Sequence, residues 1–133
     1  MRPEHRGLID GLKLYPDYQS SVFEYGYLLT DRNVDLGEQF PFFGNWKRVA
    51  LDGRFSLYLH KSQKVYIHAS SDAVYFLLGH AYDPFSGEWD ENILLKHFAE
   101  KSGGNFEDGL AVLDDLTGLF LLGILDTQGK ITF

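Results

Sequence analysis

Apolar and polar positions change their period along this chain, and each change marks an element. The run FEYGYLLT (23–30) is rich in aromatic and branched residues and stops at Asp31-Arg32-Asn33. It predicts a strand, central in its sheet. KRVAL (47–51) leads into Asp52-Gly53, a hairpin-turn dipeptide. RFSLYLH (54–60) then alternates Phe55, Leu57 and Leu59 with Ser56, Tyr58 and His60, the pattern of a half-buried strand. KSQ turns the chain into KVYIHAS (64–70), and Ser70-Ser71-Asp72 turns it again into AVYFLLGHAYD (73–83). These segments predict one antiparallel meander. Its last member, apolar without alternation from Tyr75 to Leu78, is expected to be buried on both faces.

The period then lengthens. Asp90 stands where it caps a helix, with Glu91 in the first turn, where negative charge is favoured. Ile93, Leu94, Leu95 and Phe98 form one apolar stripe, and Gly103-Gly104 ends it. Asn105 caps a second helix with Phe106, Leu110 and Leu113 on its buried face. Gly109 weakens that helix by about 1 kcal/mol relative to Ala, which points to a close backbone contact. GLFLLGILD (118–126) reads as a strand, 127–130 as a turn, and ITF as the start of another strand. Strands, two helices and strands again predict an α+β domain of antiparallel sheets layered with helices, not an alternating βαβ sheet. Residues 1–20, punctuated by Pro3 and Pro16, read as an arm or loop. Residues 31–46 read as a long loop whose FPFF (40–43) either docks on the core or forms a ligand lid.

Composition narrows the reading. A chain of 133 residues fits one domain, 1–133, and folding buries roughly two thirds of its surface. Its 44% hydrophobic and 16% aromatic residues supply a core and exclude disorder as the overall state. A net charge of −7, with scattered basic residues, argues against nucleic acid as a partner. The absence of Cys excludes disulfides and thiolate metal sites. The longest apolar run, near Leu119–Leu122, is far shorter than a membrane span. Residues 1–20 hold no apolar signal region. No membrane partner is expected, and the expected location is the cytoplasm.

LLGHAYD (77–83), DENILLKHF (90–98) and LDDLTGLFLLGILDTQGKI (113–131) together resemble the N-terminal class II glutamine amidotransferase-like domain of asparagine synthetase-related proteins. There an FNGEIYN-type strand end is followed by an acidic helix start and an L-x-G-x-F-A-type strand. The similarity covers about residues 73–133; residues 23–70 share only their strand-rich character. It implies an N-terminal-nucleophile (Ntn) hydrolase-like αββα sandwich, two antiparallel sheets packed between helices. It also implies a Cys nucleophile at the chain start, an Asn-Gly oxyanion pair, an Asp and an Arg that hold glutamine, and a separate ATP-using domain.

Carried over position by position, this machinery is largely missing. Met1 and Arg2 are not nucleophiles. The oxyanion Asn corresponds to Leu78, which has no side-chain N–H; one such donor contributes on the order of 10²–10³ in rate. Gly79 matches and brings a backbone N–H. The acidic residue after the glycine is His80 here. Asp90 corresponds to the ligand-binding Asp, or is a plain helix cap. No Arg corresponds. The family continues into a strand with an Arg-Asp-x-x-Gly-type motif that this chain lacks, so the sheet is expected to be incomplete, with an open edge that invites pairing. The resemblance therefore implies a pseudoenzyme without glutaminase activity or cofactor. Its role would be structural or regulatory beside an asparagine synthetase-like partner domain, with a homodimer formed through a sheet edge.

Other constellations define the alternatives. His80 and Asp83 make an acid–base pair near a strand end and, with Asp90, would suit a small-amide hydrolase or transferase; a turn built by Asp83-Pro84 explains the Asp equally. The five His show no H-E-x-x-H spacing, and His60 and His68 are expected on opposite strand faces, so no metal site is expected. Tyr15, Tyr18, Phe40, Phe42, Phe43 and Trp46 either pack inside or line a small-ligand groove. Trp89, in the acidic GEWDEN segment (87–92), is a candidate partner anchor.

Overall fold

The computed structural model describes residues 7, 10, 13, 14, 21–34, 43 and 46–133. The chain divides into two compact units, Met1–Ala50 with Phe55–Gln63, and Leu51–Arg54 with Lys64–Phe133. Of the expected N-terminal arm, only Gly7, Asp10, Lys13 and Leu14 are described, and their backbone is helical, not loop. Most of the 31–46 loop lies outside the described residues.

The first unit holds a three-stranded antiparallel sheet of β1 (Tyr27–Thr30), β2 (Lys47–Ala50) and β3 (Ser56–Leu59), in the order β1-β3-β2. β2 and β3 form the hairpin expected around Asp52-Gly53, with Lys47 opposite Leu59 and Ala50 opposite Ser56. The strand expected over 23–30 begins four residues late and lies at the sheet edge, not its centre. Phe23 and Tyr25 have φ of 54° and 57°, and the Gly26 N–H donates to the Phe23 carbonyl at 2.8 Å. That left-handed turn is incompatible with an extended ladder. β3 holds the central place, and all four of its residues are buried. Its alternation therefore did not translate into a half-buried strand.

The expected continuous meander breaks after β3. With β1 on one edge and β2 on the other, β3 has no free edge for a further strand. The Gln63 N–H donates to the His60 carbonyl at 2.9 Å and turns the chain away.

The second unit carries a four-stranded antiparallel sheet in the order β4-β5-β6-β7. β4 is Val65–Ala69, β5 Ala73–Tyr82, β6 Thr117–Asp126 and β7 Ile131–Thr132. β5 and β6 pair over their whole length, from Ala73 opposite Asp126 to Tyr82 opposite Thr117. Tyr75, Phe76, Leu77 and Leu78 are all buried, as their unbroken apolar run predicts.

Helix α1 (Glu91–Ser102) packs on β4 and β5. Leu94, Leu95, Phe98 and Ala99 join Ala73, Tyr75, Leu77, Ala81, Leu122 and Ile124 in one core. Ile93, expected in the stripe, is exposed: the inward face runs through 94, 95, 98, 99 and 102, leaving 93 at its rim. Phe98 meets Tyr75 and Phe106 edge-on at ring distances of 6.1 and 6.0 Å. Gly103 ends α1 in the left-handed conformation. The second helix is shorter than expected, a 3₁₀ turn (Glu107–Gly109) followed by α2 (Leu110–Asp115). The Asn105 side chain accepts from the Glu107 N–H at 3.0 Å. Leu110 is exposed, while Phe106, Val112, Leu113 and Leu116 pack against the core. Gly109 makes the close contact that its position in the pattern implies, since a Cβ there would press into the Phe98 ring.

The fold class is thus α+β, with two antiparallel sheets and, between β5 and β6, two α-helices. Among them, no helix is long and apolar enough to cross a membrane.

Candidate functional site

The residues with chemistry gather where β5 hands over to α1. Two glycines shape this end of the sheet. Gly79 has φ +92° and Gly118, on the facing strand, φ +131°, values that favour glycine. A Cβ on Gly79 would collide with the Leu119 carbonyl oxygen, and one on Gly118 with the His80 carbonyl oxygen. Between these close approaches, His80 and Leu119 sit directly opposite each other.

His80 does not pair with Asp83. Its Nδ1 lies 3.1 Å from Oε1 of Glu91, in the first turn of α1. The imidazole is 71% exposed, whereas the Glu91 side chain is only 13% exposed. Glu91 also acts on Tyr66 of β4. Burial first, then the charge of Glu91, hold the Tyr66 hydroxyl above its ordinary pKa, with Asp90 adding to the effect. The sequence reading missed both Glu91 and Tyr66 as site residues. The available signal was positional. On β4, Tyr66 and His68 alternate with Val65, Ile67 and Ala69, and the first-turn acid of the following helix faces that strand.

Asp83 belongs to a neighbouring, self-satisfied loop. Its Oδ1 accepts from the N–H groups of Phe85 (2.9 Å) and Ser86 (3.3 Å), and its Oδ2 from the Ser86 hydroxyl (2.7 Å). The Ser86 hydrogen bond, foremost, holds the Asp83 carboxyl below the usual range; desolvation opposes it, and the backbone donors of Phe85 and Ser86 and the charge of His97 add to the lowering. Glu88 accepts from the N–H groups of Trp89 and Asp90. An open groove of about 370 Å³ runs between Asp83, Ser86 and Glu88 on the loop and Lys96, His97 and Glu100 on α1. His97 is a further residue that the sequence reading did not single out. Trp89 stacks on Tyr82 with ring centres 4.2 Å apart, yet stays largely exposed.

The remaining candidates are otherwise engaged. The Asp90 carboxylate accepts from the Asn92 N–H at 2.9 Å and caps α1. The Gly79 N–H donates to the Lys64 carbonyl at 3.1 Å, within the β4–β5 ladder. Leu78 is 3% exposed and packed. Each of His80, Asp83 and Asp90 thus has its own hydrogen-bond partner, Glu91, Ser86 and Asn92 respectively. His60 is buried, with Ser62 Oγ 2.6 Å from its Nδ1. His68 lies against Tyr75 in the other unit. Among the described residues, no three His, Asp or Glu side chains gather as a metal ion would require. Of the candidate aromatic groove, Phe43 and Trp46 are described and pack edge-on at 4.7 Å; Tyr15, Tyr18, Phe40 and Phe42 lie outside the described residues.

No family model, curated protein or solved structure matches the chain.

Proposed function

We propose that this chain is a glutamine amidotransferase-like domain, noncatalytic towards glutamine, with an Ntn-type architecture, structural or regulatory beside an asparagine synthetase-like partner domain in the cytoplasm. One observation carries the reading. At the pair of positions where the resemblance calls for oxyanion donors, the side chain is a buried Leu78 and the Gly79 N–H is already taken by Lys64. An oxyanion hole works through donors aimed at developing charge, and neither group is aimed outward. Asp90, the counterpart of a glutamine-holding carboxylate, is bound to its own helix.

The sheet supports the dimer that accompanies this reading. β7 pairs only with Ile124 and Leu125, so the β6 stretch Thr117–Gly123 has one neighbouring strand in the described ladders. It contains no charged residue and no Pro, the usual guards of an edge. Leu119 is 89% exposed there.

The reading is tested by intact-mass analysis after incubation with a diazoketone analogue of glutamine. The expected spectrum is that of the unmodified chain; a stoichiometric adduct that persists in His80→Gln contradicts it. Sedimentation velocity tests the edge: dimerisation that rises with concentration and is abolished by Leu119→Lys is expected. A monodisperse monomer at high concentration removes that part of the proposal.

A further inference from the structure

We propose that His80 is a nucleophilic imidazole that takes acyl groups from small, uncharged esters with good leaving groups, and that Glu91 is its positioning residue. This activity is separate from glutamine chemistry. The Glu91 carboxylate lies 3.1 Å from His80 Nδ1, and its charge also reaches the Tyr66 hydroxyl. An ionised carboxylate only accepts hydrogen bonds, so the ring proton resides on Nδ1. The lone pair of the neutral ring is then on Nε2, in a side chain 71% exposed. The carboxylate itself is shielded from water at 13% exposure, where a charge acts more strongly on its neighbour than in bulk solvent. The close strand approaches at Gly79 and Gly118 fix the backbone that carries the ring.

Charge selects the electrophile. Asp90 and Glu91 lie beside the site, and the chain carries −7 overall, so anionic donors such as phosphoryl groups are repelled. Leu119, opposite His80 and exposed, offers apolar surface to an aliphatic acyl group. Amides are disfavoured because a basic amine leaves only when protonated, and among the described residues no proton donor hydrogen-bonds His80 Nε2.

The step balances without redox change. The Nε2 lone pair attacks the ester carbonyl carbon, the bond to the leaving oxygen breaks, and the alkoxide or phenolate departs with its electron pair. The resulting N-acyl imidazolium keeps its Nδ1 proton on Glu91, whose charge offsets the new positive charge. Water then adds to the acyl carbon and gives up one proton to the solvent, the C–Nε2 pair returns to the ring, and the carboxylic acid and a free imidazole result; the released proton balances the charge of the departed alkoxide or phenolate.

The test uses p-nitrophenyl acetate with the full chain, normalised per imidazole against free imidazole. We expect faster p-nitrophenolate release than free imidazole gives, an acetyl group mapped to His80 ahead of the other four His, and loss of the excess rate in His80→Gln. Glu91→Gln is expected to lower the rate towards that of free imidazole, while Glu91→Asp retains most of it. A merely structural Glu91 would not move the ring proton, so ¹⁵N NMR decides its role: wild type shows the Nδ1–H tautomer, and Glu91→Gln relaxes toward the mixture of free imidazole. Should Glu91→Gln unfold, His80→Gln and Glu91→Asp carry the test alone. An unchanged rate in His80→Gln, or acetylation spread evenly over the histidines, overturns the proposal.

Discussion

Replacing Gly109 by Ala sets two effects of opposite sign against each other. Ala is favoured over Gly in a helix by about 1 kcal/mol, and the Gly109 backbone, with φ −89°, accepts a side chain without strain. Against this stands space. The added methyl carbon would lie 2.8 Å from Cζ and 3.0 Å from Cδ2 of Phe98. Phe98 has nowhere to retreat, being fully buried between Tyr75 and Phe106. Overpacking of this kind costs about 1–3 kcal/mol. The steric effect wins, and Gly109→Ala is expected to destabilise by about 1 kcal/mol. Urea denaturation measures it as a lower midpoint with an unchanged slope. The coupling is checked in a Phe98→Leu background, where the smaller side chain makes room and Gly109→Ala becomes neutral or stabilising. A midpoint that stays or rises in the otherwise wild-type chain refutes the reasoning.

Tyr75→Phe removes a buried hydroxyl that accepts from the Gly104 N–H at 2.7 Å and the Ser102 hydroxyl at 3.2 Å; the stranded donors should lower stability by about 1–3 kcal/mol, read by thermal or urea unfolding. Gly79→Ala puts a methyl group into the Leu119 carbonyl at a left-handed φ, so loss of the folded circular dichroism signal, or a large fall in melting temperature, is expected; a wild-type melting temperature refutes the close approach. The Asp83 carboxyl is held below its unfolded value by Ser86, so its contribution is present above the unfolded pKa of about 3.9 and is lost as pH falls through the lower folded value. Stability measured against pH should therefore fall less steeply with acid in Asp83→Asn than in wild type.

The elements were legible where a local pattern had one structural solution. The Asp90 cap, the Gly103 stop and the unalternating run of β5 each mark a feature the structure contains. Gly109 announced its contact because a helix tolerates glycine poorly unless space demands it. What the pattern could not convey was which strands share a sheet. The alternation of 54–60 is the same whether β3 lies at an edge or between two strands, and its central place is what divided the meander. The left-handed residues Phe23 and Tyr25 carry no composition signal at all. The site divided in the same way. His80 was visible as a strand-end histidine, but its partner had to be chosen among Asp83, Asp90 and Glu91. The helix cap claimed Asp90 and the Ser86 turn claimed Asp83, leaving Glu91 for the imidazole.

Ammonia release in the presence of excess glutamine tests the central claim, that this shell lacks glutamine hydrolysis, most directly. The buried Leu78 and the engaged Gly79 N–H predict no release above buffer at any glutamine concentration. Saturable release that follows the protein through purification would contradict the account.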